Sequence, residues 1–261
     1  MTHLSQVIAI VNQKGGVGKT TTSVNLAAFL ANKGKKVLLI DIDPQGNATS
    51  GFGIDKNKAE KTTYDVLIND LPLHEAILDT GRNRLFVCPA NIDLAGAEVE
   101  LVTVVSRETC LKRALQDVRQ DFDFILMDCP PSLGLLTINA LTAADSVLVP
   151  IQGEYYALEG LTQLMETVTL VKRSLNSKLS VFGVVVTMFD SRTQLSHQVA
   201  SEVRKYFGEK VFRTIIPRNV RLSEAPSFGK SIIEYDPKSK GAECYDALAR
   251  EVIKRAGGYS A

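Results

Sequence analysis

Short apolar runs alternate with longer amphipathic segments along this chain. The first run, VIAIV at Val7–Val11, is followed by a helical pattern through TTSVNLAAFLANKG that ends at Gly34. Further predicted strands are KVLLI before Asp41, LFVCPA (Leu85–Ala90), FDFILMD, SVLVPI, LSVFGVVVT and VFRTII (Val211–Ile216). Nearly continuous apolar strands are typical of a sheet that is covered on both faces. The alternation therefore predicts an α/β fold: a mainly parallel, twisted sheet with helices on both faces.

The same pattern predicts how the chain is organised. Helical spacing over SRETCLKRALQDV places four residues on one face: Leu111, Ala114, Leu115 and Val118. A last helix is expected around Tyr245–Arg255, and the polar stretch GIDKNKAEKTTYDV is interpreted as a surface insertion. Because no repeat, low-complexity tract or linker is visible, we expect residues 1–261 to form one domain.

Composition and charge narrow the class of protein. Thirty basic residues face 29 acidic ones among 261, a net charge of +1. This balance excludes a polybasic coat protein, so any contact with DNA or lipid requires a local patch. No apolar run approaches ~18 residues, and the start MTHLSQVIAIVNQ lacks the features of a signal peptide. The four cysteines form no CxxC pair, so we expect a cytoplasmic protein with reduced thiols.

A glycine-rich loop, NQKGGVGKTT, lies directly between the first strand and the first helix. Glycines let backbone N–H groups turn toward an anion, and the helix N-terminus adds the positive end of its dipole. We expect Lys19 to reach the β- and γ-phosphates of a nucleotide and Thr20 to coordinate Mg²⁺. The standard G-x-x-x-x-G-K-[ST] pattern needs glycine at position 13, where this chain has Gln13, and a second lysine, Lys14, precedes the glycine pair. The cradle between the two lysines consists of Gly15, Gly16, Val17 and Gly18.

Carboxylates end two of the predicted strands. Asp41 and Asp43 lie in LLIDIDPQGN, and Asp128 ends FILMDCPPS. Carboxyl ends of parallel strands line the ligand crevice of such folds, and an apolar strand that ends in one carboxylate suits a Walker B position. The sequence therefore predicts a magnesium site formed by Thr20, Asp43 and Asp128.

With these residues the chain resembles the deviant Walker A ATPases, in particular the ParA/Soj branch of chromosome- and plasmid-partitioning ATPases. The resemblance spans nearly the whole chain in six blocks: NQKGGVGKTTTSVNLA, LLIDIDPQGNATSG, LAGAEVEL, DCPPSLGLLTINAL, EYYALEGL and IIPRNVRLSEAPSFGKSI. It implies a P-loop NTPase fold, ATP and Mg²⁺ as cofactors, and a slow ATPase activity.

The resemblance also implies roles for the catalytic residues. Two ATP-bound subunits would form a sandwich homodimer in which Lys14 reaches the partner's phosphates, like an arginine finger supplied in trans. Gly15 would permit the close approach of the two backbones. Asp43 would orient the attacking water and act as the general base, and Lys19 would bind the phosphates.

Nucleotide contacts follow from the same resemblance. Thr21 would contact the α-phosphate, and Asp128 would serve Mg²⁺ through water. Pro217 and Asn219, in IIPRNVRL, would lie against the adenine.

Non-specific binding of double-stranded DNA by the ATP dimer is a further implication, with Arg192 and Arg221 as the matching basic positions. Contacts to phosphates are independent of sequence and sensitive to salt. Between Arg218 and Arg255, eight basic residues face six acidic ones, so the remaining patch is modest. The resemblance implies nucleoid association and a stimulating ParB/Spo0J-like partner with a basic N-terminal segment. In the Soj branch it also implies control of replication initiation through a DnaA-like initiator.

The residues leave three alternative functions open. A MinD-like division-site ATPase would bind membranes through a C-terminal amphipathic helix. An apolar stripe from Tyr245 to Ile253 has helical spacing. We expect this stripe to pack on its own domain and to make no contact with a membrane. A redox or cluster-carrying relative would need paired cysteines, whereas Cys88 and Cys129 have the pattern of buried structural thiols. A small-molecule kinase would need an acceptor pocket. Because the first strand begins at Val7, we expect no N-terminal helix-turn-helix and no specific operator binding.

Overall fold

The structure is a computed structural model that describes residues 5–153 and 157–258, with only the helical backbone described for 157–159. The first three residues of the EYYALEGL block, 154–156, lie outside the described residues, as do the last three of the chain.

Within the described residues, eight strands form one sheet with the order β3-β4-β2-β5-β1-β6-β7-β8. The strands are β1 (Gln6–Ile10), β2 (Val37–Asp41), β3 (Leu78–Arg82), β4 (Leu85–Cys88), β5 (Phe124–Asp128), β6 (Ser146–Gln152), β7 (Ser180–Phe189) and β8 (Val211–Pro217). All neighbouring strands are parallel except β3 and β4. The predicted mainly parallel sheet is confirmed.

Helices cover both faces of this sheet. They are α1 (Lys19–Asn32), α2 (Asn47–Gly51), α3 (Thr63–Ile68), α4 (Leu73–Ala76), α5 (Leu94–Glu100), α6 (Cys110–Ala114), α7 (Leu135–Ala143), α8 (Ala157–Ser174), α9 (Gln194–Phe207), α10 (Val220–Glu224), α11 (Ile232–Tyr235) and α12 (Lys240–Gly258). Short 3₁₀ segments lie at Leu101–Thr103, Arg107–Thr109, Arg119–Asp121, Gly208–Lys210 and Ala225–Phe228.

The central strand β1 explains why the strands are apolar on both sides. Val7 and Ala9 lie in one hydrophobic cluster. Ile8 and Ile10 lie in a second cluster on the opposite face. Because successive side chains of a strand point to opposite faces, a strand between two helical layers must be apolar at every position.

The segment SRETCLKRALQDV departs from its prediction as one continuous helix. Only α6 is α-helical, although three of the four face residues, Leu111, Leu115 and Val118, are buried as expected. Asn139 on α7 accepts a hydrogen bond from the Leu111 N–H and donates to the Arg107 carbonyl. These tertiary hydrogen bonds replace the backbone pattern that would continue a helix toward its N-terminus.

Two polar segments also differ from the sequence pattern. Strand β3 has the sequence LDTGR and lies at an exposed edge, so it lacks the apolar signal of the other strands. Within the stretch interpreted as a surface insertion, Thr62 and Thr63 are buried. Thr62 forms a capping box with Asp65 at the start of α3, which anchors the end of that stretch in the protein.

The C-terminal helix α12 packs on α1 and β8. Its apolar stripe is buried in the protein at Tyr245, Leu248, Ala249 and Val252. Among the described residues, we find no helix that combines the length and apolar character needed to cross a membrane.

Candidate functional site

The glycine-rich loop joins β1 to α1 at the carboxyl edge of the sheet. Asn12 fixes its start, because its side-chain amide donates to the Pro150 carbonyl (2.7 Å) and its oxygen accepts from the Lys14 N–H (3.0 Å). Gly16 and Gly18 have φ values of 75° and 84°, in the left-handed region that favours glycine. The loop therefore curves around the N-terminus of α1, as a phosphate cradle requires.

Lys19 begins α1 and is only 6% exposed. Its Nζ donates to the Lys14 carbonyl across the loop, at 3.1 Å. Burial lowers the pKa of this ammonium, and the nearby Asp128 carboxylate acts in the opposite direction. An anion bound in the loop would gain a charge-assisted hydrogen bond from a group that is already partly desolvated.

Asp128 lies at the end of β5, fully buried, between two hydroxyl groups of α1. Thr20 Oγ1 donates to Oδ2 at 2.8 Å, and Ser23 Oγ donates to Oδ1 at 2.7 Å. Burial raises the pKa of Asp128 to about 6, and these two hydrogen bonds oppose the rise. The sequence interpretation missed Ser23, although its spacing of three from Thr20 places both on one face of α1.

A hydroxyl and carboxylate pair of this kind suits a hard divalent cation. Mg²⁺ usually keeps several waters and takes one or two protein oxygens together with substrate phosphates. Among the residues that the structure describes, no cluster of three or more acidic, histidine or cysteine side chains could hold a metal by itself. Thr20 and Asp128 therefore fit a cation that is shared with a bound phosphate.

The two aspartates after β2 have different surroundings. Asp43 is 8% exposed, and its Oδ1 accepts a hydrogen bond from the Gln45 N–H at 2.9 Å. Asp41 is fully buried opposite Asp128 in the strand register. Its oxygens accept from the Asp43 N–H, the Thr49 N–H and the Thr49 hydroxyl. Burial and, secondarily, the charge of Asp128 raise the pKa of Asp41 to about 8.

A cavity of about 290 Å³ opens beside the phosphate loop and connects it to the predicted adenine residues. Gly18 and Thr21 line it on the loop side, and Pro217 and Asn219 line it on the far side. Asn219 also caps α10, because its Oδ1 accepts from the Arg221 N–H. The structure thus brings the loop and the predicted adenine contacts together in one crevice.

Part of the cavity wall has no signal in the sequence. Met188 follows the apolar part of β7 and has a φ of 48°, a conformation that non-glycine residues rarely adopt. Thr187 donates to the Val17 carbonyl at 2.7 Å. The Tyr245 hydroxyl lies 3.2 Å from the Thr22 hydroxyl. These residues come from segments that are distant in the chain, so only the fold reveals that they share one wall.

Arg192 and Arg221 follow the neighbouring strands β7 and β8 at the same edge of the sheet. The Arg218 N–H donates to the Phe189 carbonyl, which holds the two loops together. The Arg192 side chain is 86% exposed, and its guanidinium binds Asp190 at 2.7 Å. Arg221 binds Glu224 at 2.9 Å and lies 3.6 Å from Asp236. Both predicted DNA-binding cations therefore have carboxylate neighbours that reduce the local charge.

The cysteines have the surroundings expected of structural thiols. Cys88, Cys110 and Cys129 are buried and unbridged, and burial raises the pKa of each thiol. No feature of the described residues favours the redox or cluster-carrying alternative.

Comparison with known proteins agrees with this geometry. The family model described as "AAA domain" matches residues 5–181. The sporulation initiation inhibitor protein Soj of Bacillus subtilis is 63% identical over 249 residues, which cover 95% of this chain and 98% of that protein. The chromosome partitioning protein ParA of Myxococcus xanthus is 58% identical over 252 residues, covering 97% and 89%.

Solved structures show the same fold. Cobyrinic acid a,c-diamide synthase from Mycobacterium smegmatis with bound ADP and magnesium superposes with a TM-score of 0.86 at 39% identity, covering 98% of this chain and 96% of that one. The septum site-determining protein MinD of Pyrococcus horikoshii, complexed with Mg-ADP, has a TM-score of 0.81 at 27% identity, covering 98% and 99%.

The parallel sheet, the loop before α1 and the buried Asp128 at the end of β5 define a P-loop NTPase of the MinD/ParA type. Identity to partitioning ATPases is much higher than to MinD, so the MinD alternative is not favoured. The chain belongs to the ParA/Soj family of chromosome-partitioning ATPases.

Proposed function

We propose that this protein is an ATP-driven switch that dimerises with ATP, binds DNA non-specifically as the dimer, and releases it on hydrolysis. The observation that carries the proposal is the continuous crevice from the phosphate loop to the cavity at Pro217 and Asn219. Its two ends match the two ends of a nucleoside triphosphate: backbone N–H groups and Lys19 for phosphates, and a partly apolar cavity for the base.

Within this proposal, each loop residue has a defined task. Lys19 neutralises the phosphates, and Thr21 contacts the α-phosphate, a role supported by its place where the loop meets the cavity. Thr20 and Asp128 would hold Mg²⁺, together with Asp43 as the third predicted residue of the metal site. The metal supplies charge neutralisation on the phosphates when bound. Asp43 orients the attacking water and accepts its proton.

Dimerisation involves the outer turn of the loop. Gly15 and Gly16 are exposed at this turn, beside Lys14. We propose that Lys14 contributes its ammonium to the phosphates of the other subunit, which makes hydrolysis dependent on the dimer.

Gly15→Val tests this dimer directly. A Cβ atom at Gly15 would meet no atom of the described residues within 4 Å, and the backbone there is not in the left-handed region. The variant should therefore fold and bind ATP as a monomer. Two symmetric clashes of ~1–3 kcal/mol each should weaken ATP-dependent dimerisation by roughly 30-fold or more. Analytical ultracentrifugation with ATP measures this, and a dimer of normal affinity would exclude Gly15 from the interface.

A contrasting variant separates the dimer from the loop itself. Gly16→Val places a branched side chain at a φ of 75°, so it should distort the cradle and weaken ATP binding in the monomer. If Gly15→Val lost ATP binding to the same extent, its effect would be on the cradle and not on the dimer.

Co-sedimentation with DNA of arbitrary sequence tests the output of the switch. Binding is expected with ATP but not with ADP or without nucleotide, and it should weaken steeply as salt rises. Anionic liposomes at the same salt concentrations form the second arm. Because the apolar stripe of α12 is buried against the protein, we expect no liposome binding. Liposome binding without DNA binding would replace the proposal by the MinD-like function.

Arg192→Glu should lose DNA binding and keep ATP-dependent dimerisation. We expect affinity to fall at least roughly tenfold and the salt slope to fall by about 2 per dimer, since two phosphate contacts are lost. Arg113→Glu is the matched control, because Arg113 is also an exposed arginine near an aspartate (Asp70, 4.0 Å). Asp190→Asn should strengthen DNA binding, since it removes the carboxylate that holds Arg192. Unchanged DNA affinity in Arg192→Glu would show that Arg192 is an ordinary solvated surface residue.

The proposal includes the partners that the family implies. A ParB/Spo0J-like protein would stimulate a slow intrinsic turnover, and a DnaA-like initiator would connect the switch to replication. Nucleoid association would follow from DNA binding. We further propose that residues 1–261 form a single ATPase domain, which is supported by one sheet that extends from β3 to β8.

A further inference from the structure

The hydroxyl group of Thr49 joins three elements of the fold. It donates to Asp41 Oδ2 at the end of β2 (2.7 Å) and accepts from the Ala90 N–H just beyond β4 (3.0 Å). The Thr49 N–H also donates to Asp41 Oδ2, at 2.8 Å. Thr49 and Ala90 are both fully buried, so water cannot replace these hydrogen bonds.

Between Asp41 and Thr49 the chain forms the loop that carries Asp43. The Asp43 carboxylate accepts from the Gln45 N–H, and the Asp43 carbonyl accepts from the Gly46 N–H at 2.8 Å. Gly46 has a φ of 58°, and a Cβ there would lie 2.5 Å from the Ala90 carbonyl oxygen. The turn that holds the Asp43 side chain is therefore packed directly on the segment that Thr49 binds.

The phosphate loop is held by a different set of bonds. Lys19 donates to the Lys14 carbonyl, and Asp128 is held by Thr20 and Ser23. None of these three hydrogen bonds involves Thr49 or Ala90. Loosening the loop that carries Asp43 should leave the groups that bind the phosphates in place.

We infer that Thr49 is a positioning residue for hydrolysis: its hydroxyl, bridging Asp41 and the Ala90 N–H, fixes the turn that holds Asp43. Asp41 serves as an internal anchor of this turn and does not contact the nucleotide, because both of its oxygens accept hydrogen bonds from the turn itself. The inference rests on the proposed role of Asp43.

Thr49→Val and Thr49→Ala both remove the hydroxyl. Valine keeps the volume, and alanine avoids placing a methyl group against the Asp41 carboxylate. Single-turnover hydrolysis in both variants should slow by about tenfold, the effect of one displaced buried hydrogen bond. The Kd for ATP, measured by equilibrium titration, should change less than about twofold. Thr49→Ser restores the hydroxyl and should restore the rate.

Thr63→Val is the matched control. Thr63 is equally buried beside the same strands, and its hydroxyl donates to the backbone carbonyls of Asp41 and Pro89 and not to the Asp41 carboxylate that Thr49 binds. Its rate should stay near that of the wild type at equal folded fraction, which thermal unfolding measures. Normal hydrolysis in both Thr49 variants, no rescue by serine, or an equal loss in Thr63→Val would each overturn the inference.

Asp43→Asn separates this inference from the proposed function. If Asp43→Asn hydrolyses ATP normally, the role of Asp43 is wrong. If Asp43→Asn is inactive while the Thr49 variants are normal, Asp43 is catalytic and Thr49 does not position it.

Discussion

Lys19→Ala is expected to abolish ATP binding. The variant removes the side-chain ammonium of Lys19 at the start of α1, which is buried and donates to the Lys14 carbonyl. A charged hydrogen bond of ~3 kcal/mol corresponds to a loss of at least about 100-fold in affinity. Equilibrium titration with ATP and Mg²⁺ measures this loss. The fold should persist, because the hydrogen bond that Lys19 loses is to the uncharged backbone carbonyl of Lys14.

Lys14→Ala is the control on the same loop. Lys14 lies five residues earlier, on the exposed turn, so its loss should spare ATP binding by one subunit and impair the dimer and its hydrolysis. This pair of results would support the proposed roles, in which Lys19 binds the nucleotide of its own subunit and Lys14 acts on the nucleotide of the partner. Retained ATP affinity in Lys19→Ala would remove the phosphate-loop assignment altogether.

Asp43→Ala is expected to trap an ATP-bound dimer. Loss of a general base should lower hydrolysis by roughly 10²–10⁴-fold, while Lys19, Thr20 and Asp128 keep their contacts with the nucleotide. Because hydrolysis ends the life of the dimer in the proposed cycle, the dimer should accumulate with ATP. Phosphate release and sedimentation with ATP measure the two effects.

Asp43→Asn distinguishes a catalytic role of the Asp43 carboxylate from a role in shaping the turn. The asparagine oxygen can still accept from the Gln45 N–H, so the turn is kept while the base is lost. Equal inactivity of both variants supports a catalytic carboxylate, and activity in Asp43→Asn alone would make Asp43 a turn residue. Normal turnover in Asp43→Ala would remove it from the mechanism.

Local patterns were sufficient to predict the phosphate loop and each described strand except the polar edge strand β3. Strands such as β5 and β6 are apolar at nearly every position because both faces are covered, and that signal does not depend on distant residues. The loop from Asn12 to Thr21 is likewise contiguous, with its strand and helix on either side. These features could be recognised without knowledge of the topology.

Features that depend on long-range contacts could not be predicted from local sequence patterns. Met188 and Tyr245 join the cavity only because β7 and α12 pack beside the loop. Asp41 and Asp43 look equivalent in LLIDIDPQGN, and the structure separates them through Thr49, which lies eight residues beyond Asp41. The single long helix predicted around Leu111 is interrupted by Asn139, whose side chain comes from another helix.

The open surroundings of Gly15 provide a way to map the proposed dimer face by mutagenesis. Within residues 5–153 and 157–258, a Cβ at Gly15 would meet no neighbour within 4 Å, and the backbone there is not in the left-handed region. A saturation library at this position, scored once for protein abundance and once for ATP turnover, should tolerate most residues in the first score and favour glycine in the second. The same library at other exposed positions would then map the face that a second subunit covers, because positions on that face should show the same difference between the two scores.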